Sequence, residues 1–247
     1  MIIFIFILGL IGGSFLNVVI YRLPLKKSII FPSSHCPYCE TKLKYYDLIP
    51  VLSYIINKGK CRYCGEKISF QYPIVELLTG LLFLLTFLNY DLTSEFIIFI
   101  FLISVLIVVS FIDIKYQIIP NEITFTFIPI GLILSLFFNH IKFLDSLLGL
   151  LIPAGILLLI AFIYKKGMGI GDVKLIGMIG VFIGWEYALI SIFIGALFGS
   201  IYGIYMMVTG NMTRKTRIPF GPFISLGAVI MILYGSLLID WYLGLFI

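Results

Sequence analysis

The chain has 247 residues, of which 61% are hydrophobic and only 12% charged, with a mean hydropathy of +1.15. A soluble fold covers its surface with about a quarter charged residues, so a soluble globule is excluded and a polytopic membrane protein is implied. The net charge of +5 does not point to nucleic acid, because the basic residues cluster beside apolar segments.

The first segment, 2–21, carries no basic residue ahead of its apolar run and shows no small-x-small cleavage site before Arg22. It therefore reads as a retained first span with its N-terminus outside, not as a signal peptide. A loop at 22–72 follows. Further apolar segments lie near 73–89, 95–112, 122–139, 145–164, 170–185, 186–209 and 219–239. A span needs about 20 apolar residues, and only helices satisfy their own backbone in lipid. The expected fold is thus all-α and polytopic, with about eight transmembrane helices and one small cytoplasmic loop domain.

The sixth segment is unusual. Only Leu175 to Trp185 run free of charge after Lys174, and at 1.5 Å per residue they reach only about 16 Å. Either this helix starts earlier and carries Asp172 to membrane depth, or a re-entrant piece is present. A turn at Gly184-Trp185-Glu186 is expected to separate it from the seventh.

Charge orients the chain. With 22–72 in the cytoplasm, Lys115, the Lys165/Lys166/Lys174 cluster and the Arg214/Lys215/Arg217 cluster also fall inside, and Lys142 is the single basic residue outside. The positive-inside rule selects this orientation. His140 then lies on the outer face and receives no role.

All four cysteines lie in the loop, as "CPYC" (36–39) and "CRYC" (61–64), separated by 21 residues. Each Cys-x-x-Cys pair can place two thiolates on one cation, and two pairs complete the tetrahedral set of structural zinc. A reducing cytoplasm argues against disulfides. A module of about fifty residues is too small for a large core, and such modules use a metal as a staple. Cys36, Cys39, Cys61 and Cys64 are the expected ligands of one closed, structural Zn2+. Gly65 suits the tight turn after the second pair. The stretch "LIPVLSYII" (48–56) is either an interfacial segment that seats the loop on the membrane or the apolar filling of the module.

Asp113 ends the third span and Asp172 begins the sixth, and the topology brings both to the cytoplasmic face. Each is either an ordinary interfacial acid or half of an acid pair. Each precedes a lysine by two positions, Lys115 and Lys174, which on a helix point away from it; the lysines snorkel while the acids face the bundle. Gly167, Gly169 and Gly171 lead into Asp172, and without Cβ atoms they let a peptide backbone approach. Two carboxylates sharing a site do not both ionise, so one holds a proton while the other acts as base toward water. Glu76 either pairs with a base such as Arg22 or is an interfacial acid.

Several motifs in order make the chain resemble the prepilin peptidases, or type IV leader peptidases, of the GxGD class of membrane aspartyl proteases. They are "GSFLNVVIYRLP" (13–24), the Cys-x-x-Cys pairs, "DLIPVLSYIINKGKCRYC" (47–64), "YPIVELLTG" (72–80), "DIKYQIIPN" (113–121), "GMGIGDVKL" (167–175) and "IPFGPFISLGA" (218–228). The resemblance implies that Asp113 and Asp172 are the catalytic aspartates, with Gly169 and Gly171 supporting in the GxGD motif. It implies cleavage of the short basic leader from type IV prepilins or pseudopilins at the cytoplasmic membrane face. Because the cysteine loop marks the bifunctional members, it also implies S-adenosylmethionine-dependent N-methylation of the new N-terminus. The implied setting is the bacterial cytoplasmic membrane, with the precursor and the lipid bilayer as partners and no nucleic acid, in pilus assembly or protein secretion. The corresponding domains are the first helix at 1–21, a methylation-associated tetracysteine loop at 22–72 and a peptidase domain at 73–247. One departure is Asn121, where many members carry a second Asp. No glycine-rich dinucleotide fingerprint is present, so the binding site of the methyl donor is unassigned. The rival reading is a transporter or channel with intramembrane acids and a regulatory zinc loop; such sites lie at mid-membrane between repeats, and neither feature is seen here.

Overall fold

The computed structural model describes residues 1–138, 140–163, 169–210 and 218–244. The basic clusters Lys165/Lys166 and Arg214/Lys215/Arg217, and Gly167, lie outside the described residues. The described residues contain α1 (Ile2–Arg22), α2 (Leu52–Ile56), α3 (Gln71–Tyr90), α4 (Ser94–Tyr116), α5 (Asn121–Phe137), α6 (Phe143–Ile163), α7 (Ile170–Val208) and α8 (Gly221–Leu243). Six of these are long and apolar enough to cross a membrane, and α5, with 17 residues, is a shorter apolar helix. The chain is an integral membrane protein of the all-α class and divides into two compact units, Met1–Val108 and Val109–Ile247.

In the first unit, α1 and α3 run antiparallel and in close contact. Glycines make the closeness possible. A Cβ at Gly9 would lie 2.7 Å from the Gly80 Cα, and one at Gly13 would lie 2.6 Å from the Glu76 Cα. Gly9 and Gly13 are four apart, the small-xxx-small spacing that lets membrane helices approach through their backbones. One turn further on, Asn17 donates from Nδ2 to the Tyr72 carbonyl at 3.1 Å and fixes the register.

The loop between α1 and α3 contains a 3-10 turn at Tyr45–Leu48 and the short α2. Asp47 in that turn ties it to the second cysteine pair. It accepts a hydrogen bond from the Tyr63 hydroxyl at 2.8 Å and an ion pair from Arg62 Nε at 3.0 Å. Glu76 anchors the loop to α3. Its Oε2 accepts the Val51 N–H at 2.7 Å and the residue is buried. Arg22 instead donates to the Ser28 carbonyl at 3.1 Å. The alternatives considered from sequence, a pair with Arg22 or a plain interfacial acid, are therefore replaced by an acid that receives the loop backbone. Val51 needs that support, since its φ of 61° is a left-handed value that a β-branched residue rarely adopts.

In the second unit, α7 is one helix only in name. Gly184 adopts φ 81° and ψ 169°, which breaks it into arms 170–183 and 185–208. The first arm runs antiparallel to α6: Ser146 Oγ donates to the Val181 carbonyl at 2.7 Å, Gly149 meets Gly180 backbone to backbone, and Gly177 meets Leu150 and Ala154. The second arm runs antiparallel to α8, with Ser191 against Gly227, Gly195 against Phe223 and Gly203 against Ile218. The chain therefore reverses at Gly184, as expected at Gly184-Trp185-Glu186, and eight apolar rods result. The first arm starts at Ile170 and holds Asp172 in its first turn. Of the two alternatives for this segment, the helix with the early start is the one formed. Its shortness is accommodated by burial, because nearly every residue from Asp172 to Gly184 is enclosed by neighbouring helices. His140 lies beyond the C-terminal end of α5, and the Phe182 backbone contacts it at the Gly184 end of the arm, away from Asp172.

Candidate active site and metal centre

The acid site is built where four helix ends of the second unit meet. Asp113 sits in the last turn of α4 and is buried. Its Oδ2 accepts the backbone N–H of Gly221 at 3.0 Å. Gly221 is the first residue of α8, and the N–H groups of a first helical turn have no partner within their own helix. They point outward and favour negative charge. A Cβ at Gly221 would lie 2.7 Å from Oδ2 of Asp113, so any larger residue would push that carboxylate aside. Sequence reasoning did not single out this residue. The signal was available in "FGP", a glycine followed by a proline at a helix start.

Asp172 sits in the first turn of α7 and is 9% exposed. Its own N–H bonds to the Gly169 carbonyl at 3.1 Å, which closes the turn opening the helix. One side chain links the two halves of the site. Ile119, in the connection between α4 and α5, would lie 3.2 Å from a Cβ at Gly171 and 3.4 Å from one at Gly221. The room at Gly171 is thus used by Ile119, which lodges between the glycine next to Asp172 and the glycine that binds Asp113. At Gly169 a Cβ would meet, among the described residues, only Asp172 Oδ2 at 3.7 Å and the Gly171 N at 3.8 Å, both ordinary contacts.

Neither neighbouring lysine neutralises its acid. Lys174 Nζ donates to Asn121 Oδ1 at 2.9 Å and lies 5.0 Å from the centre of the Phe125 ring. Lys115 lies over the Tyr116 ring. Asn121, the departure noted in the sequence, therefore holds Lys174 on α5. The geometry leaves two buried carboxyl groups at helix ends that Ile119 connects, one of them steadied by a backbone N–H. Such a pair can divide the roles of proton donor and base toward a water.

The cysteines form a second site, within the first unit. Cys36, Cys39, Cys61 and Cys64 present sulfur atoms all within 4.8 Å of one another, with Cys36 Sγ and Cys64 Sγ 3.9 Å apart. Four thiolates about 2.3 Å from a tetrahedral ion lie about 3.8 Å from each other, so the cluster fits a metal of that kind. Two near-equivalent turns produce it. In the first, Glu40 N–H bonds to the Cys36 carbonyl at 2.9 Å and Cys36 N–H to the Thr41 carbonyl at 3.0 Å. In the second, Gly65 N–H bonds to the Cys61 carbonyl at 2.9 Å and Cys61 N–H to the Glu66 carbonyl at 2.8 Å. Both turns need a residue of positive φ, supplied by Gly65 at 74° and by Glu40 at 55°. Hydrogen bonds from Thr41 lower the Cys39 thiol to about 6. At Cys64 the Glu66 N–H favours the thiolate, yet burial and the other three thiols push it up to about 12. Four thiols so close resist joint ionisation, and a bound cation reverses that preference.

Comparison with known proteins extends these observations. Residues 7–90 match the bacterial peptidase A24 N-terminal domain, and residues 100–204 match the type IV leader peptidase family. A prepilin leader peptidase/N-methyltransferase of Bacillus subtilis (strain 168) is 37% identical over 238 residues, covering 96% of each chain. Proteins of the same description from Aeromonas salmonicida (strain A449) and Legionella pneumophila are 31% and 32% identical, covering 97% and 94% of this chain and 93% and 91% of their own. No solved structure matches the chain.

Proposed function

The chain belongs to the type IV leader peptidase family, and from that premise we propose that it cuts the basic leader from type IV prepilins or pseudopilins and methylates the N-terminus so created. The observation that carries the reading is the pair of buried carboxyl groups, Asp113 and Asp172, each at a helix end and joined through Ile119, which lodges between Gly171 and Gly221.

A precursor of this class has a basic leader followed by an apolar helix. The helix enters the bilayer while the leader stays on the basic side, which is the cytoplasm in the orientation that the lysines and arginines favour. The scissile peptide then reaches the level of the helix ends that carry the acids. One carboxylate removes a proton from a water as it attacks the carbonyl carbon. The other, protonated, donates to the carbonyl oxygen, and proton return to the nitrogen releases the leader. The N–H of Gly221 is suited to hold Asp113 as the ionised partner, since a hydrogen bond to the charged form favours it. The missing Cβ at Gly169 suits the approach of an extended substrate backbone. The glycines Gly169 and Gly171 thus support the site, one toward substrate and one by admitting Ile119.

Cys36, Cys39, Cys61 and Cys64 would hold one Zn2+. A four-thiolate site leaves no position for water, so the ion would fold the 22–72 loop and take no part in hydrolysis. S-adenosylmethionine would supply the methyl group. No glycine-rich turn of the nucleotide-binding kind stands among the described residues, so no side chain is matched to that donor. The 22–72 loop is assigned to methylation and 73–247 to peptide cleavage on family grounds.

Purified protein in detergent, given a synthetic prepilin, tests the proposal. Mass spectrometry is expected to find leader release in every case and an added methyl mass on the product only with S-adenosylmethionine. Absence of cleavage across several precursors would remove the peptidase assignment and favour an ion-handling role for the acids.

A further inference from the structure

The segment 48–56 admits two readings in sequence, interfacial seat or module filling, and its side chains decide between them. Leu52, Ile55 and Ile56 are 56%, 63% and 69% exposed, and Leu48 and Ile49 just before them are also exposed. A filling segment would have buried these residues. The spacing of Leu52, Ile55 and Ile56 puts these three on one face of α2, so its apolar face points outward.

The position of this face is fixed by α3. Val51 gives its N–H to Glu76, five residues into the helix from Gln71. At 1.5 Å per residue the Glu76 Cα lies about 7.5 Å along α3 from its first residue, and its carboxylate, leaning back toward the helix start, holds the Val51 N–H beside the first turns of α3. Tyr54 packs against Phe70, with ring centres 6.1 Å apart. Phe70 is itself exposed, as are Ile74, Leu77, Leu78 and Leu81 along the outer face of α3. Through Tyr54 and Phe70, α2 therefore adjoins the exposed apolar surface of a helix long enough to span a membrane. Beyond it stand Lys58 and Lys60, both exposed, where they would meet anionic headgroups.

We propose that residues 48–56 form a membrane-seated foot of the metal-binding loop, with the leaflet surface as its partner and Glu76 as the latch that sets its depth. Interfacial helices bury an apolar face about 5–10 Å into the headgroup and acyl boundary, and Glu76 holds Val51 beside the first turns of a helix long enough to span a membrane. The consequence is that the loop is held against the bilayer and does not swing free in water. This inference is independent of the catalytic assignment.

The full chain in lipid vesicles tests it. The two native tryptophans, Trp185 and Trp241, are replaced by Phe, and single tryptophans are introduced by Ile55→Trp and, in a second variant, Ile56→Trp. Leu81→Trp gives a lipid-facing reference and Glu66→Trp an aqueous one. Phosphatidylcholine brominated near the headgroup end of its chains is expected to quench the tryptophans at 55 and 56 several-fold more than that at 66. Aqueous acrylamide is expected to show the reverse order. Quenching at 55 and 56 equal to that at 66 would overturn the proposal. Shielding from both quenchers would overturn it as well, in favour of a protein partner on this face. Metal content and elution volume, measured on every variant, report folding without relying on activity.

Discussion

Gly221 donates its backbone N–H to Oδ2 of Asp113 at 3.0 Å, across 108 residues of chain. The contact joins the last turn of α4 to the first residue of α8. It also places an acid on a helix N-terminus, where the unpaired N–H groups favour negative charge. The side chain that makes this possible is the one glycine lacks.

Gly221→Ala is therefore expected to displace Asp113 while leaving both acids in the chain. A misplacement of about 1 Å can cost about 100-fold in rate, so leader cleavage should fall by roughly 10- to 100-fold, mainly in kcat. Steady-state kinetics with a fluorogenic prepilin peptide, alongside a thermal melt, would check it. A variant with parental kcat would show that this hydrogen bond does not position the site.

Asp113→Asn and Asp172→Asn should each abolish cleavage, by about 1,000-fold or more, and the double variant should be no worse than either single one, because residues acting as a unit are not additive. Bound metal should be unchanged in all three. Independent, multiplicative losses would argue that the two acids do not share a step.

One metal ion per chain is expected on Cys36, Cys39, Cys61 and Cys64. Replacing it with Co2+ should give the intense near-ultraviolet bands of thiolate ligation, and Cys36→Ser with Cys39→Ser should lose them. Removal of the ion should expose the loop to trypsin at Lys58, Lys60 and Arg62, since a module this size lacks a core of its own. A loop equally protected with and without metal would make the ion dispensable to its fold.

Gly13→Leu is expected to prevent the close approach of α1 and α3, because even a Cβ there would lie 2.6 Å from the Glu76 Cα. Overpacking costs about 1–3 kcal/mol or more, and here the obstacle is backbone, which cannot rotate away. Lower yield and melting temperature in detergent should follow, with Gly12→Leu as a milder comparison because its nearest neighbours are side-chain atoms at 3.9 Å.

Much of this protein was legible in its amino-acid order because the bilayer is a severe solvent. Apolar runs had to become helices, since lipid offers no hydrogen-bond partners to a backbone, and the eight segments reappear with the reversal at Gly184. Two Cys-x-x-Cys pairs predicted a four-sulfur cluster because each spacing brings two sulfurs together locally. The positions of Asp113 and Asp172 at helix ends followed from where charge interrupts hydrophobicity. Sequence could not say what stands between those acids. Gly221 and Ile119 meet Asp113 and Gly171 only because α4, α7 and α8 end together, and nothing local encodes that meeting. The same holds for Glu76, whose partner Val51 comes from a loop 25 residues away. Local chemistry determined which elements and ligands exist; the packing of helix ends, governed by where glycines permit contact, decided which polar groups face each other.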